Sequence, residues 1–356
     1  MCGRTACALD PDAICKGCAF KDSNGTFQKP VWKNAQNGKT FFPSYNISPG
    51  HYTPVMISSQ HFQDTAEAEI KSKRVIQPMR WGLVPSWHKG NPNSIPYQTN
   101  NCKSETMLEK KMFKVPLEKG RRCVVLAEGY YEWKKSGQTK QPYFITQQTH
   151  DVKPSIKVEA EDVKKEDLSM IKSEVKTEVK TEIKTEDDAE KETKESVSDE
   201  KPSKPLMKMA GVFDICRSKD DKDQDLYSYT VVTVPASAAT ADIHHRMPAI
   251  LSTEEDVEQW LDFGAVPIKD AVKLIKPQEC IHLYPVSTVV NNSRNNSPEC
   301  VKPLDMKKPK SALEAWLKKI PKKEPANVIK KEPKEEEEEE DDDESETPAK
   351  KIKQEE

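Results

Sequence analysis

The feature that most restricts the fold is a charged stretch at residues 148–204, which has too few apolar side chains to form a core. It contains 12 Lys and 17 Asp or Glu residues, and no Phe, Trp or Tyr. Residues 304–356 are similar, with 13 Lys and 17 acidic residues. Such segments stay disordered because they cannot bury enough apolar surface to offset the entropy lost on folding. We therefore predict one folded domain in two parts, residues 1–147 and 205–303, with a disordered insert (148–204) and a disordered tail (304–356).

Charge is unevenly distributed along the chain. The whole chain has a formal charge of −3, but the insert carries −5 and the tail −4, which leaves about +6 on the remainder. A basic folded part favours a polyanionic partner such as nucleic acid. No run approaches the ~20 apolar residues that span a bilayer, and the first residues lack a secretory signal. We expect a soluble intracellular monomer without a membrane partner.

Nine cysteines in such a compartment should be reduced thiols. Cys15 and Cys18, with Cys7 upstream, have the spacing of half a zinc site, but the chain has no second Cys-x-x-Cys pair. We therefore expect no metal and no cofactor.

Short apolar runs bounded by turn residues indicate strands in both folded parts. Residues 121–133 predict one buried strand, and residues 141–145 should return beside it across a turn at Gly137. A capping-box pattern at 252–255 predicts the start of a helix. Many short strands and few helices favour a mainly β (α+β) fold with a compact barrel-like core.

Cys2 becomes the first residue of the chain once the initiator methionine is removed. An α-amine of pKa ~8 and a thiol of pKa ~8.5 then lie on adjacent carbons, and both are nucleophilic near neutral pH. This pair reacts with aldehydes, because the amine forms a Schiff base and the thiol closes a five-membered thiazolidine. The alternative is a cysteine whose position has no chemical role.

Two further positions carry groups suited to proton transfer. Glu132 lies between Tyr131 and Trp133, surroundings that raise the pKa of a carboxyl towards neutrality. The alternative is an ordinary exposed carboxylate. His244 and His245 precede a basic residue and a proline, and they are equally compatible with a functional site and with a hydrogen-bonded structural pair.

An arginine and two tryptophans flank residues 82–85, where a glycine and a proline interrupt regular secondary structure. Proteins bind single-stranded nucleic acid with positive charges that contact phosphates and with flat aromatic side chains that stack on unpaired bases. Arg80 and Trp87 are therefore candidate contacts. We predict that Trp81 lies in the core, and the sequence leaves Trp87 open between core and surface.

Together these segments resemble the SRAP (SOS response-associated peptidase) domain family, most closely its eukaryotic members, in order over residues 1 to about 303. Lys103 stands where the family usually has arginine. A lysine keeps the positive charge but cannot contact a phosphate with two parallel hydrogen bonds as arginine does. The segments that carry the resemblance are Met1-Cys2-Gly3-Arg4, Tyr45-Asn46-Ile47-Ser48-Pro49, Arg80-Trp81-Gly82-Leu83-Val84-Pro85, Asn101-Cys102-Lys103-Ser104-Glu105-Thr106, Gly129-Tyr130-Tyr131-Glu132-Trp133 and His244-His245-Arg246-Met247-Pro248.

The family cross-links covalently to abasic sites in single-stranded DNA and has lyase-like and autoproteolytic activities. The resemblance therefore implies that Cys2 supplies both nucleophiles and that a stable thiazolidine protects the lesion from strand scission. Asn101 would position the amine and the sugar, Glu132 would act near the Schiff-base nitrogen, and His244 would help to open the sugar ring. The implied DNA contacts are Arg4, Arg80, Trp87, Lys103, Trp133 and Arg246.

Two other functions fit part of the sequence. A non-covalent reader of modified DNA bases needs the basic core and the tryptophans but leaves Cys2, Glu132 and His244 unexplained. A cysteine peptidase acting in trans would pair Cys2 with His244.

An aliphatic-Lys-x-Glu pattern recurs in the insert and the tail and resembles the acceptor consensus for SUMO. Chance matches in a Lys- and Glu-rich linker are the alternative, but they do not require an aliphatic residue at every fourth position. We therefore expect a nuclear protein, present at replication forks, that is a substrate of the SUMO conjugation machinery. The acceptor lysines are Lys157, Lys164, Lys172, Lys176, Lys180, Lys184, Lys330 and Lys353.

The tail also contains an apolar patch formed by Leu313, Trp316 and Leu317. A leucine three residues before an aromatic resembles the helical plug by which replication proteins dock on a sliding clamp. Lys310 occupies the position of the usual glutamine, and the alternative is a short helix that packs on its own domain.

Overall fold

A computed structural model of the protein describes residues 3–22, 24–62, 72–95, 98–148, 206–218 and 225–304. Apart from residues 148 and 304 at their edges, the predicted insert and tail lie outside the described residues. The described ranges contain fifteen strands and four α-helices. The strands are β1 (Thr5–Cys7), β2 (Phe20–Lys21), β3 (Phe27–Gln28), β4 (Val31–Trp32), β5 (Ser44–Ile47), β6 (Tyr52–Ser58), β7 (Arg74–Trp81), β8 (Asn101–Lys103), β9 (Arg122–Ala127), β10 (Gly129–Ser136), β11 (Thr139–Gln147), β12 (Met207–Cys216), β13 (Leu226–Pro235), β14 (Arg246–Pro248) and β15 (Ile281–Pro285); the helices are α1 (Pro11–Gly17), α2 (Lys111–Glu118), α3 (Glu254–Leu261) and α4 (Ile268–Ala271).

Five strands form a closed barrel in the order β13, β12, β9, β6 and β7. Neighbours around the ring are antiparallel, except that β7 closes it by pairing parallel to β13, with Ser228 opposite Arg80 and Tyr229 opposite Trp81. Apolar side chains of these strands form the main core, in which Trp81 is fully buried. The predicted mainly β, barrel-like architecture and the core position of Trp81 are confirmed.

A second sheet carries the N-terminal end of the described chain. Its strand order is β15, β11, β10, β1 and β5, so that β1 lies between β10 and β5. Thr5 is opposite Tyr130 on one side and Ile47 on the other. Pairing on both sides fixes the first described residues, because a central strand satisfies its backbone hydrogen bonds in both directions.

Residues 121–133 form two strands and not the single strand that was predicted. The apolar run is interrupted at Glu128 and Gly129, and there the chain passes from β9 in the barrel to β10 in the second sheet. A Cβ atom at residue 129 would lie only 2.5 Å from the carbonyl oxygen of Ile145, so glycine is needed there. The predicted β10–β11 hairpin is confirmed, with Gly137 at a φ of 56° in its turn.

Helix α3 begins with a capping box, as predicted, but the box is formed by Thr253 and Asp256, one residue later than the predicted 252–255. The Thr253 side chain accepts a hydrogen bond from the backbone N–H of Asp256, whose carboxylate accepts one from the backbone N–H of Thr253. The helix packs Trp260 against the barrel, where the indole N–H donates to the carbonyl of Cys123 at 2.8 Å. None of the helices in the described ranges is long and apolar enough to cross a bilayer.

Candidate active site

A cleft of about 600 Å³ lies where the start of the described chain meets the β10–β11 hairpin. The loop before β14 and the turn after β15 complete its walls. It brings together Glu132 and His244, the two predicted proton-transfer residues, with two of the predicted DNA contacts. The lining side chains are Arg4, Glu132, Trp133, Lys135, Lys140, His244 and Asn291.

Cys2 lies outside the described residues. The carbonyl oxygen of Arg4 accepts a hydrogen bond from the backbone N–H of Tyr131 at 2.9 Å, beside Glu132. Arg4, which is two positions after Cys2 in the sequence, therefore lies against the strand that carries Glu132.

Glu132 is a buried carboxyl on β10, only 5% exposed. Burial raises its pKa to about 7, while the positive charge of the N-terminal amine acts in the opposite direction. The direction of this pKa shift is the one predicted from the flanking aromatic residues. A carboxyl with a pKa near 7 can both donate and accept a proton at neutral pH.

His244 is half-buried in the loop before β14. The backbone N–H of Arg246 donates to its Nδ1 atom at 3.0 Å, and its ring stacks on the exposed His245 ring at 4.4 Å. Burial is the main cause that lowers the pKa of His244, so the ring is neutral at pH 7. The carbonyl oxygen of Arg246 lies 3.2 Å from the same Nδ1 atom, so Nδ1 accepts from the N–H of Arg246 in one neutral tautomer and donates to its carbonyl in the other.

A buried amide, that of Asn46, organises one wall of the cleft. Its Oδ1 atom accepts from Arg4 Nη1 at 2.6 Å, and its Nδ2 atom donates to the carbonyls of Val290, Asn292 and Asn295. The reasoning from sequence did not select Asn46 as a site residue. A signal was present, because Asn46 belongs to the Tyr45–Pro49 segment that carries the family resemblance.

Arg4 and Trp133 form one continuous surface in the cleft. The Arg4 guanidinium lies 5.7 Å from the centroid of the Trp133 ring and also donates to the carbonyl of Val290 at 2.9 Å. The Trp133 indole N–H donates to Asn291 Oδ1 at 2.7 Å. Both side chains are thereby held in place, which gives a flat face and a positive charge beside Glu132.

The predicted catalytic residue Asn101 and the other predicted DNA contacts are not among the side chains that line this cleft. Asn101 is buried in β8 and pairs with Val231, while Lys103 is exposed where β8 ends. Trp87 is 58% exposed, which resolves the open alternative in favour of the surface. Arg80 is half-buried and holds the loop that carries Trp87, since it donates to the carbonyl of Gly82 at 2.8 Å and to Asn93 Oδ1 at 2.7 Å.

Arg246 requires a correction, because it is buried and not an exposed DNA contact. Its guanidinium donates to both carboxylate oxygens of Glu105, at 2.5 and 2.9 Å, and to the carbonyl of Thr233 at 2.5 Å. This bidentate pair ties the end of β8 to β14, and the pKa of Glu105 falls to about 2 through the Arg246 hydrogen bonds. Arg246 is therefore a positioning residue, whose backbone also holds His244.

Comparison with known proteins supports this fold and shows the family. Two relatives named "Abasic site processing protein HMCES" are each 43% identical to the chain: that of Xenopus tropicalis over 339 residues (92% of this chain, 89% of the relative) and that of Rattus norvegicus over 344 residues (93% and 87%). The crystal structure of a protein from Bacteroides thetaiotaomicron, 20% identical, has the same fold with a TM-score of 0.53 over 85% of this chain and 100% of that one. The family model described as SOS response associated peptidase (SRAP) matches residues 1–293. The chain belongs to the SOS response associated peptidase family.

Proposed function

We propose that the protein processes abasic sites in single-stranded DNA by capturing them covalently through Cys2 as a thiazolidine. The observation that carries this proposal is the cleft itself, where Glu132 and His244 meet Arg4, which is two positions after Cys2 in the sequence. The names of the relatives support abasic sites as the substrate class. The basic remainder of the chain and the Arg4–Trp133 surface suit an unpaired strand.

The proposed reaction starts with the opening of the abasic sugar. The ring form and the open aldehyde interconvert by moving a proton between the anomeric hydroxyl and the ring oxygen. His244 is neutral, and in the tautomer whose Nδ1–H donates to the carbonyl of Arg246 its Nε2 atom has the lone pair of a base. Nε2 takes the proton of the anomeric hydroxyl, and the resulting imidazolium gives a proton to the ring oxygen as the ring opens.

Condensation then requires the removal of one water molecule. The Cys2 amine adds to the aldehyde carbon. Because the pKa of Glu132 is about 7, a large fraction of this carboxyl is protonated at neutral pH, and it gives its proton to the departing hydroxyl. The thiol adds across the resulting C=N bond, with a carbon–sulfur bond formed and the sulfur proton ending on nitrogen. No oxidant or reductant is needed, and the adduct equals protein plus DNA minus one water.

Ring closure explains how the capture protects the lesion. A Schiff base withdraws electrons from the sugar and makes the neighbouring C–H acidic, which promotes β-elimination of the phosphate. A thiazolidine has no C=N bond, so this activation is lost. In this proposal the protein acts as a shield for the DNA strand.

The test is an incubation of the Met1-processed protein with a single-stranded oligonucleotide that contains one abasic site, followed by intact mass measurement. The expected product survives boiling in detergent without borohydride reduction and has the combined mass minus one water. An oligonucleotide with a tetrahydrofuran in place of the sugar has no aldehyde and is the matched control. If only non-covalent complexes form, the modified-base reader is supported, whereas turnover of an added peptide supports the peptidase.

We further propose that the insert and tail, outside the described residues, are modified by SUMO in the nucleus. Reconstituted conjugation of the wild type is expected to give a ladder of products, because extended aliphatic-Lys-x-Glu segments fit the cleft of the conjugating enzyme. A variant with all eight acceptor lysines changed to Arg should give none, while its positive charge is unchanged. Equal ladders from both proteins would reject the proposal.

The segment at 310–317, also outside the described residues, is proposed to bind a sliding clamp. A peptide of this segment is expected to bind purified clamp in a calorimetric titration, because Leu313, Trp316 and Leu317 would fill an apolar groove. Trp316→Ala should remove the binding, as the aromatic residue supplies the largest buried area. No binding at high micromolar clamp would rule out this partner.

A further inference from the structure

Two lysines lie directly opposite each other on the β10–β11 hairpin. Lys135 of β10 is paired with Lys140 of β11, both are exposed, and both line the cleft. Like charges at directly opposed positions of an antiparallel pair destabilise the sheet. Within the described ranges, neither lysine forms an ion pair with a carboxylate, although ion pairs occur elsewhere on the surface. This arrangement is unfavourable for the free protein and suited to an anion.

We propose that Lys135 and Lys140 together bind one backbone phosphate of the DNA strand, adjacent to the captured lesion. This inference rests on the proposed function and adds a specific contact to it. Lys135 lies three residues after Glu132 on β10, a distance of about 10 Å along a strand. The lysine pair is therefore placed for a phosphate that neighbours the lesion, while Arg4 and Trp133 lie nearer to Glu132.

The location of Lys135 relative to His244 supports this assignment. Burial is the main cause of the lowered pKa of His244, and the positive charge of Lys135 adds to it. The lysine ammonium is thus near enough to act on this imidazole. A phosphate bound between the two lysines would offset their charge beside His244, so the contact lies next to the groups that the chemistry uses.

The first test compares Lys135→Ala/Lys140→Ala with Lys269→Ala/Lys276→Ala, which removes the same charge at exposed positions outside the cleft. The probe is a single-stranded oligonucleotide with a tetrahydrofuran at the lesion position, so that only non-covalent binding is measured. Lys135→Ala/Lys140→Ala, the hairpin variant, should bind roughly tenfold more weakly at low salt. The magnitude of its slope of log K against log salt concentration should be smaller by about 0.7, as expected for the loss of one phosphate contact. The control variant should behave as the wild type does.

The second test replaces one phosphate at a time by an uncharged methylphosphonate. The wild type should lose affinity most at one phosphate near the lesion, and the hairpin variant should be insensitive at that same position. The variant should also unfold at a temperature no lower than the wild type, because a repulsive pair has been removed. An unchanged methylphosphonate profile, or equal losses in both double variants, would overturn the proposal.

Cross-linking measured in parallel separates this inference from the function on which it rests. If the wild type forms no adduct with aldehyde-bearing DNA, the covalent proposal fails, whatever the lysines bind. If the wild type forms the adduct but its phosphate profile matches that of the hairpin variant, the lysine site alone is wrong.

Discussion

Cys2→Ala is expected to abolish the denaturation-resistant adduct with abasic single-stranded DNA, a loss beyond the detection limit of a denaturing gel. The substitution keeps the α-amine, so a Schiff base can still form, but no thiol remains to close the thiazolidine. A Schiff base hydrolyses on denaturation unless it is reduced. The variant should therefore show an adduct only when borohydride is present.

Cys280→Ala is the matched control, because Cys280 is a free and exposed thiol outside the cleft. It should cross-link as the wild type does. Affinity for the tetrahydrofuran oligonucleotide should be the same for all three proteins, since the Arg4–Trp133 surface is intact in each. A Cys2→Ala protein that forms as much unreduced, boiling-resistant adduct as the wild type would disprove the thiazolidine chemistry.

Glu132→Gln is expected to slow adduct formation by about 10²-fold or more and at the same time to stabilise the protein above neutral pH. The rate falls because glutamine cannot give a proton to the departing hydroxyl, and general acid–base groups typically contribute about 10² to 10⁴ in rate. The stability rises because glutamine is neutral, whereas the buried carboxylate loses solvation when it ionises.

The sign of the pH effect follows from the raised pKa. Burial moves the pKa of Glu132 from an ordinary value of 4.5 to about 7, so the folded state binds the proton more tightly than the unfolded state does. This contribution to stability is fully present below the unfolded pKa and is lost as the pH rises through about 7. The loss is on the order of 3 kcal/mol in the free energy of unfolding at higher pH.

Urea unfolding at about pH 5 and about pH 8, with single-turnover cross-linking rates, measures both effects. The difference in stability between the two pH values should be smaller in Glu132→Gln than in the wild type by the contribution of this one group. Glu258→Gln, which changes an exposed carboxylate on α3, should alter neither quantity. A Glu132→Gln protein with normal cross-linking rates, or one destabilised at both pH values, would make Glu132 a structural residue.

Properties that depend on local chemistry were predictable from the residues. The mainly β class followed from short apolar runs, and the core position of Trp81 from its surroundings in the chain. The direction of the Glu132 pKa shift was predicted from its two aromatic neighbours, but on a strand these side chains point to the opposite face, so the burial that raises the pKa comes from other parts of the fold. The aminothiol chemistry of Cys2 depends only on two adjacent nucleophiles, so it needed no fold to be proposed.

Properties that depend on distant partners were decided only by the tertiary structure. The apolar run at 121–133 is broken at Glu128 and Gly129, but this break does not show that the two halves belong to different sheets. Arg246 has the charge of a phosphate contact, but it is buried and paired with the carboxylate of Glu105, far away in the chain. Lys135 and Lys140 become an opposed pair only when β10 and β11 align. The burial of a side chain and the pairing of its charge depend on residues from the whole chain. Which of these residues come into contact is decided only when the complete fold forms.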